Sequence, residues 1–285
     1  MGEAKRKHRR HADIISNASG CVYCAASSSA EQIDHMPPRA MFRMNQRPKG
    51  LEFPSCAACN QGTSKLDVVA TFMARTFPGI GDEADSAEWD RVMGEINRVA
   101  PGLFREMWVP REQMEAMLWS QGITDRELAA FRADGPILSA HMQAFAAKVG
   151  FALHYEATGQ VVPEQGRVQV RWFTSGEIIG DQLPESLFNS IGPVQLMKQG
   201  KITSELTFEY GWGEFEQNRA VNLCYAKVRE AFVVAAFVVD DASKLPFPEG
   251  DLATFAPGDL RNPPHDRIMD GHHFAHFAAP SVASK

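Results

Sequence analysis

The sequence predicts an α+β chain: a small cysteine-clamped N-terminal module, then a helical region, then a mainly antiparallel β-sheet domain. Three observations carry this. Two Cys-x-x-Cys pairs, Cys21/Cys24 and Cys56/Cys59, stand near the N-terminus. Through the middle of the chain, apolar residues recur at helical spacing. Beyond about residue 160 they alternate with polar residues or run together, as in strands.

Length and composition narrow the class first. The 285 residues suffice for one large domain or two modest ones. With 44% hydrophobic and 22% charged residues, the composition is that of a soluble globular protein. No apolar run approaches the roughly 18 to 20 residues of a membrane span, so no membrane partner is expected. The first fifteen residues are basic and polar and hold no apolar segment of the secretory kind. A cytoplasmic location follows as an expectation. Thiols stay reduced there, and paired cysteines then point to metal binding or catalysis more than to disulfides.

The net charge of −6 is unevenly spread. Residues 1–65 hold ten Lys/Arg against five Asp/Glu, a balance of +5, and the remainder stands at −11. Lys5, Arg6, Lys7, Arg9 and Arg10, interleaved with His8 and His11, read as a solvated basic arm over residues 1–19. Attraction to phosphate is the functional alternative for such a block.

The remaining elements follow in order. Residues 20–78 carry the cysteines, and Pro78 to Asp85 reads as a linker. Residues 86–245 read as an α+β domain. In it, Ser86 can cap a helix whose Trp89, Val92, Met93, Ile96 and Val99 share one face. Thr124 and Glu127 have the spacing of a capping box. Leu138, Met142, Phe145, Val149 and Leu153 form a second helical stripe. Val168, Val170 and Trp172 alternate, as do Leu206, Phe208 and Tyr210. Phe232 to Val239 is almost wholly apolar, as a strand buried on both faces would be. A short helix is expected near Glu185 to Ser190. Residues 246–285, rich in Pro, Gly and His, read as an irregular tail.

Two residues between thiolates let a tight turn aim both sulfurs at one ion, and two such knuckles complete a tetrahedral four-sulfur site. A site of that kind is closed to water, so Zn2+ held by Cys21, Cys24, Cys56 and Cys59 would be structural. The competing reading is a redox Cys-x-x-Cys, which a second pair at matched spacing disfavours. The 31 intervening residues exceed a simple zinc ribbon, so something folds inside the gap. Cys224 stands apart, as a small buried hydrophobe in a strand.

Inside the clamp lies Ile33-Asp34-His35-Met36-Pro37-Pro38-Arg39, and Asn60 directly follows the last cysteine. With Cys-Val-Tyr-Cys before it and Pro-Ser-Cys-Ala-Ala-Cys-Asn-Gln-Gly-Thr-Ser-Lys after it, residues 17–78 resemble the HNH endonuclease family, in particular its zinc-clamped members. The resemblance implies a ββα-metal fold over residues 20–78. Asp-His would close the first strand, and a helix would run near Thr63 to Arg75. It implies a hydrolase cutting phosphodiester bonds in nucleic acid, DNA first, with His35 as general base. Asp34 and Asn60 would hold a catalytic divalent cation, Mg2+ or a similar ion. Arg39 would contact substrate phosphate.

The chemistry is coherent on its own terms. Neutral imidazole accepts a proton from water near physiological pH. A carboxylate and an amide oxygen suit a hard cation better than they suit zinc. Arg43, Arg47 and Lys49 could also meet phosphate, with a solvated surface as the other reading. One element departs from the family pattern: the stretch before the second knuckle, Lys49-Gly50-Leu51-Glu52-Phe53, contains no Asn to orient the base. The alternative function is therefore a zinc module that binds nucleic acid or protein without catalysis. The His272, His273, His276 cluster reads as surface tail, and Phe208 to Phe215 as strand and turn.

Overall fold

The computed structural model describes residues 3–76, 84–120 and 131–263. Thr124, Glu127 and the His272, His273, His276 cluster lie outside the described residues. The chain opens with helix α1 (Glu3–Asn17). Strands β1 (Gln32–His35) and β2 (Glu52–Ser55) pair antiparallel, with His35 opposite Glu52. Helix α2 (Ala57–Thr76) begins at once after β2. The basic segment is thus a helix rather than an irregular arm. One reason is that its inward side finds partners: Arg10 and His11 reach the Glu52 carboxylate.

Helices α3 (Ala84–Val99), α4 (Leu103–Met107) and α5 (Arg111–Ser120) lead to the long α6 (Pro136–Thr158). Val92, Ile96 and Val99 are buried on α3 as their spacing predicts. That helix starts at Ala84, so Ser86 lies inside it rather than capping it. The N-terminus of α6 is capped from outside: Glu106 accepts the amides of Ile137 and Leu138, each at 2.8 Å. Pro136 sits at the first turn, where no amide is needed. Every residue of the Leu138-to-Leu153 stripe is fully buried.

The sheet is built from β3 (Arg167–Thr174), β6 (Phe208–Phe215), β7 (Asn218–Val228), β8 (Phe232–Val239) and β9 (Ala253–Phe255). Its order is β6-β7-β8-β3-β9, antiparallel throughout. Helices α7 (Ser175–Ile179) and α8 (Glu185–Ser190) and the small β4–β5 ribbon (Lys198–Gln199, Ile202–Thr203) fill the connection from β3 to β6. The α8 span is the one expected. Leu206 is not in a strand: it is 80% exposed in a turn with positive φ, and β6 starts at Phe208. The segment after residue 246 is not wholly irregular either, since β9 adds an edge strand to β3.

Strand β8 is central, which explains its unbroken apolar sequence. Phe232, Val234, Ala236 and Val238 face the core shared with α6, while Val233, Ala235, Phe237 and Val239 face a second core with Phe173, Leu187 and Phe215. The first core continues without a break through α6 and α2 to the four cysteines, so module and sheet share one interior. Among the described residues no helix is long and apolar enough to cross a membrane.

Helix α6 approaches the sheet most closely at Gly150. A Cβ there would lie 2.6 Å from Ala236 Cβ and 2.8 Å from Val168 Cγ1, both rigidly held. Gly150→Val is expected to lower stability by at least about 1–3 kcal/mol through overpacking, seen as a fall in the urea midpoint. An unchanged midpoint would contradict this packing.

Candidate metal centre and reactive histidine

The four cysteines converge. Their sulfurs all lie within 4.8 Å of one another, and each cysteine is buried. Tetrahedral zinc with bonds of about 2.3 Å sets its sulfurs about 3.8 Å apart. The group is therefore compact enough to bind one metal ion, and its donor set is compatible with structural zinc. None of the four is in a disulfide. A hydrogen bond from Cys59 pulls the Cys21 thiol down to about 5, while the same hydrogen bond, with burial, pushes the Cys59 thiol up.

Backbone geometry makes the knuckles. In the first, Ala26 N–H donates to Cys21 O and Ser27 N–H to Cys24 O, and Ala25 and Ala26 take positive φ. Val22 N–H donates to Pro54 O and Glu31 N–H to Ser55 O, which ties this knuckle to β2. In the second, Cys59 N–H donates to Cys56 Sγ at 3.5 Å, and Asn60 N–H to Cys56 O starts α2.

A third segment closes over the clamp. Gly258 N–H donates to Tyr23 O, and the Arg261 guanidinium bonds Ser27 Oγ and Ser28 Oγ at 2.8 Å. Arg261 also lies against the Cys24 and Cys59 sulfurs, which hold its positive charge firmly. A cation here suits a site that would carry excess negative charge with four thiolates on one divalent ion. Gly62 of α2 allows the approach, since a Cβ would fall 2.1 Å from Leu260 O.

Strand β1 ends on Asp34-His35, and the two side chains leave opposite faces. Asp34 points inward and is 5% exposed. It accepts the Tyr23 hydroxyl and the Lys148 ammonium, the latter at 3.0 to 3.1 Å. Lys148, on α6 and 0% exposed, also holds Asp67 of α2 at 2.8 and 2.9 Å. Burial alone would drive the Lys148 proton off, but Asp34 and Asp67 outweigh it and keep the ammonium charged. Burial lifts the Asp67 carboxyl to about 7 against the pull of Lys148. The Asp34 carboxylate is thus already paired with a protein cation. The Asn60 amide nitrogen donates to Gln32 Oε1.

His35 faces the other way, beside Glu52 and His11. Burial, with help from Arg47, lowers its imidazole to about 4, so it is neutral at physiological pH. Arg39 is exposed on the turn that follows and adds positive charge near His35. Arg43 and Lys49 are exposed. Arg47 departs from both of its expected roles: it is half-buried and donates to the carbonyls of Met36, Pro37, Pro48, Gly50 and Leu51, so it shapes the loop between β1 and β2. Cys224 is fully buried, and burial raises its thiol.

Among the sequence-predicted residues, the structure joins the four cysteines and separates Asp34 from His35 across β1. Sequence reasoning missed Tyr23, Asp67, Lys148, His11, Glu52 and Arg261. The alternation of an extended strand predicts the division between Asp34 and His35, and β1 shows it. No family model, curated protein or solved structure matches this chain.

Cys56→Ser should lose the metal and destabilise the N-terminal module severely, because metal affinity of this kind is folding free energy. Elemental analysis and thermal melts check it, and a metal-free wild-type chain of unchanged stability would refute it. Lys148→Met should cost about 3–5 kcal/mol by leaving the buried Asp34 and the half-buried Asp67 carboxylates without their cation, and Asp34→Asn added to it should restore part of the loss. A denaturant midpoint within error of wild type would rule out the buried triad.

Proposed function

We propose that the chain is a metal-dependent endonuclease of the HNH type, hydrolysing phosphodiester bonds in nucleic acid, with DNA as the first substrate to test. Structural zinc on Cys21, Cys24, Cys56 and Cys59 would hold the module together. The observation that carries the reading is the β1–β2–α2 arrangement inside the cysteine clamp, with Asp-His closing β1 and presenting a neutral imidazole on its outer side. The surroundings support it. Lys5 and Arg9 of α1 and Arg39 are exposed, and α1 packs on the strands that carry His35.

In this reading His35 takes a proton from water as the water oxygen attacks phosphorus and the opposite P–O bond breaks. An arriving phosphodiester adds negative charge, which raises the imidazole from about 4 toward the range where it is an effective base. Arg39 neutralises phosphate charge. A hard divalent cation such as Mg2+ would stabilise charge on the phosphate and the leaving oxygen. The family pattern assigns it to Asp34 and Asn60. To serve there, Asp34 must exchange Lys148 for the ion.

That pairing of Asp34 with Lys148 is the specific observation favouring a second reading, a zinc module that binds nucleic acid or protein without cutting. The two separate cleanly. Supercoiled plasmid incubated with the full chain and Mg2+ or Mn2+ should be nicked, and His35→Ala should slow cleavage by about 10² to 10⁴-fold with metal content unchanged. Absence of cleavage in wild type with an intact clamp would overturn the nuclease reading. Equal cleavage by His35→Ala would remove His35 from it.

A further inference from the structure

The outward face of β1 holds a group that the nuclease reading does not use. His35 and Glu52 are directly opposed in the β1–β2 register, and α1 lays His11 beside them. One ligand atom from each of the three lies within 4.8 Å of the other two. His11 Nε2 is 3.5 Å and His35 Nε2 is 3.9 Å from the Glu52 carboxylate. The imidazole centroids are 5.9 Å apart at 69°. His35 Nε2 makes no hydrogen bond among the described residues, although it is buried.

We propose that His11, His35 and Glu52 form a second metal site, separate from the cysteine clamp, that takes a divalent transition ion of the zinc, cobalt or nickel type. Two ligands at about 2.1 Å from one tetrahedral ion stand about 3.4 Å apart, and the two imidazole-to-carboxylate distances need only small adjustment to meet that. Two imidazoles and one carboxylate are borderline donors, which select transition ions over magnesium. Arg10 also pairs with Glu52, at Oε2. A carboxylate offers about four lone-pair positions, so Arg10 can remain as the partner that orients the ligand, as outer partners of metal-bound carboxylates do. The His11 and His35 side chains are 23% and 20% exposed, which leaves a coordination position open to water or an anion.

The site goes beyond the nuclease reading and bears on it. The Nε2 lone pair of His35 serves a metal or a proton, not both. Filling the site would therefore remove the base, and zinc should silence cleavage that magnesium supports.

The test starts from full chain carrying one equivalent of zinc in the clamp. Co2+ titrated by calorimetry and absorption should bind as one further equivalent without new sulfur-to-cobalt charge-transfer absorption, since no thiolate is involved. His11→Ala and Glu52→Gln should each weaken that binding at least ten-fold while keeping the clamp zinc and the far-ultraviolet dichroism of wild type. No second equivalent in wild type, or equal affinity in wild type and in correctly folded variants, overturns the proposal. A second equivalent in a chain that cuts no DNA would leave this site standing and the nuclease reading refuted.

Discussion

Four sulfurs within 4.8 Å of one another fix where two stretches of backbone must meet, although 31 residues separate Cys24 from Cys56. Everything between them is looped out from that point. The β1–β2 pair is short and would be marginal alone. The first knuckle donates to the backbone of Pro54, and Glu31 to that of Ser55, and this same end of the pair runs into α2, whose first turn is the second knuckle. The clamp therefore sets the register of β1 against β2. That register places His35 opposite Glu52 and sends Asp34 to the inner face.

A second constraint binds this module to the rest of the chain. Lys148 is a fully buried cation on the central helix, and it reaches carboxylates on β1 and α2. An ammonium without water around it is unfavourable unless it is well paired, and removing either side leaves an uncompensated charge. Together with the continuous apolar core, the triad makes the module and the sheet domain one body rather than a separate cartridge on a tether. Arg261 adds a third tie, lying over the sulfurs from near the end of the described chain.

Much of the architecture was legible because it repeats locally. The α6 stripe, the two-sided burial of β8, the short α8 and the paired cysteines each show within a dozen residues or so, where a period or a spacing is enough to read. The errors fell where tertiary partners overrode composition. The basic segment is helical and docks Arg10 and His11 on Glu52. Leu206 is apolar but turns outward with positive φ. Arg47 reads as a solvated surface residue or a phosphate contact and is instead a scaffold for five carbonyls.

Sequence by itself determined the donor chemistry. Four thiols in two matched pairs, an Asp-His closing a strand, and a helix after the second pair are properties of adjacent residues. Only the tertiary structure decided what each polar group meets. Lys148 lies 114 positions from Asp34 and 81 from Asp67, and no local pattern encodes contacts at that range. Whether the Asp34 carboxylate faces a metal ion, water or an ammonium depends on which helix packs over β1. The physical reason is that a buried charge takes its meaning from its partner, and the partner is supplied by the fold.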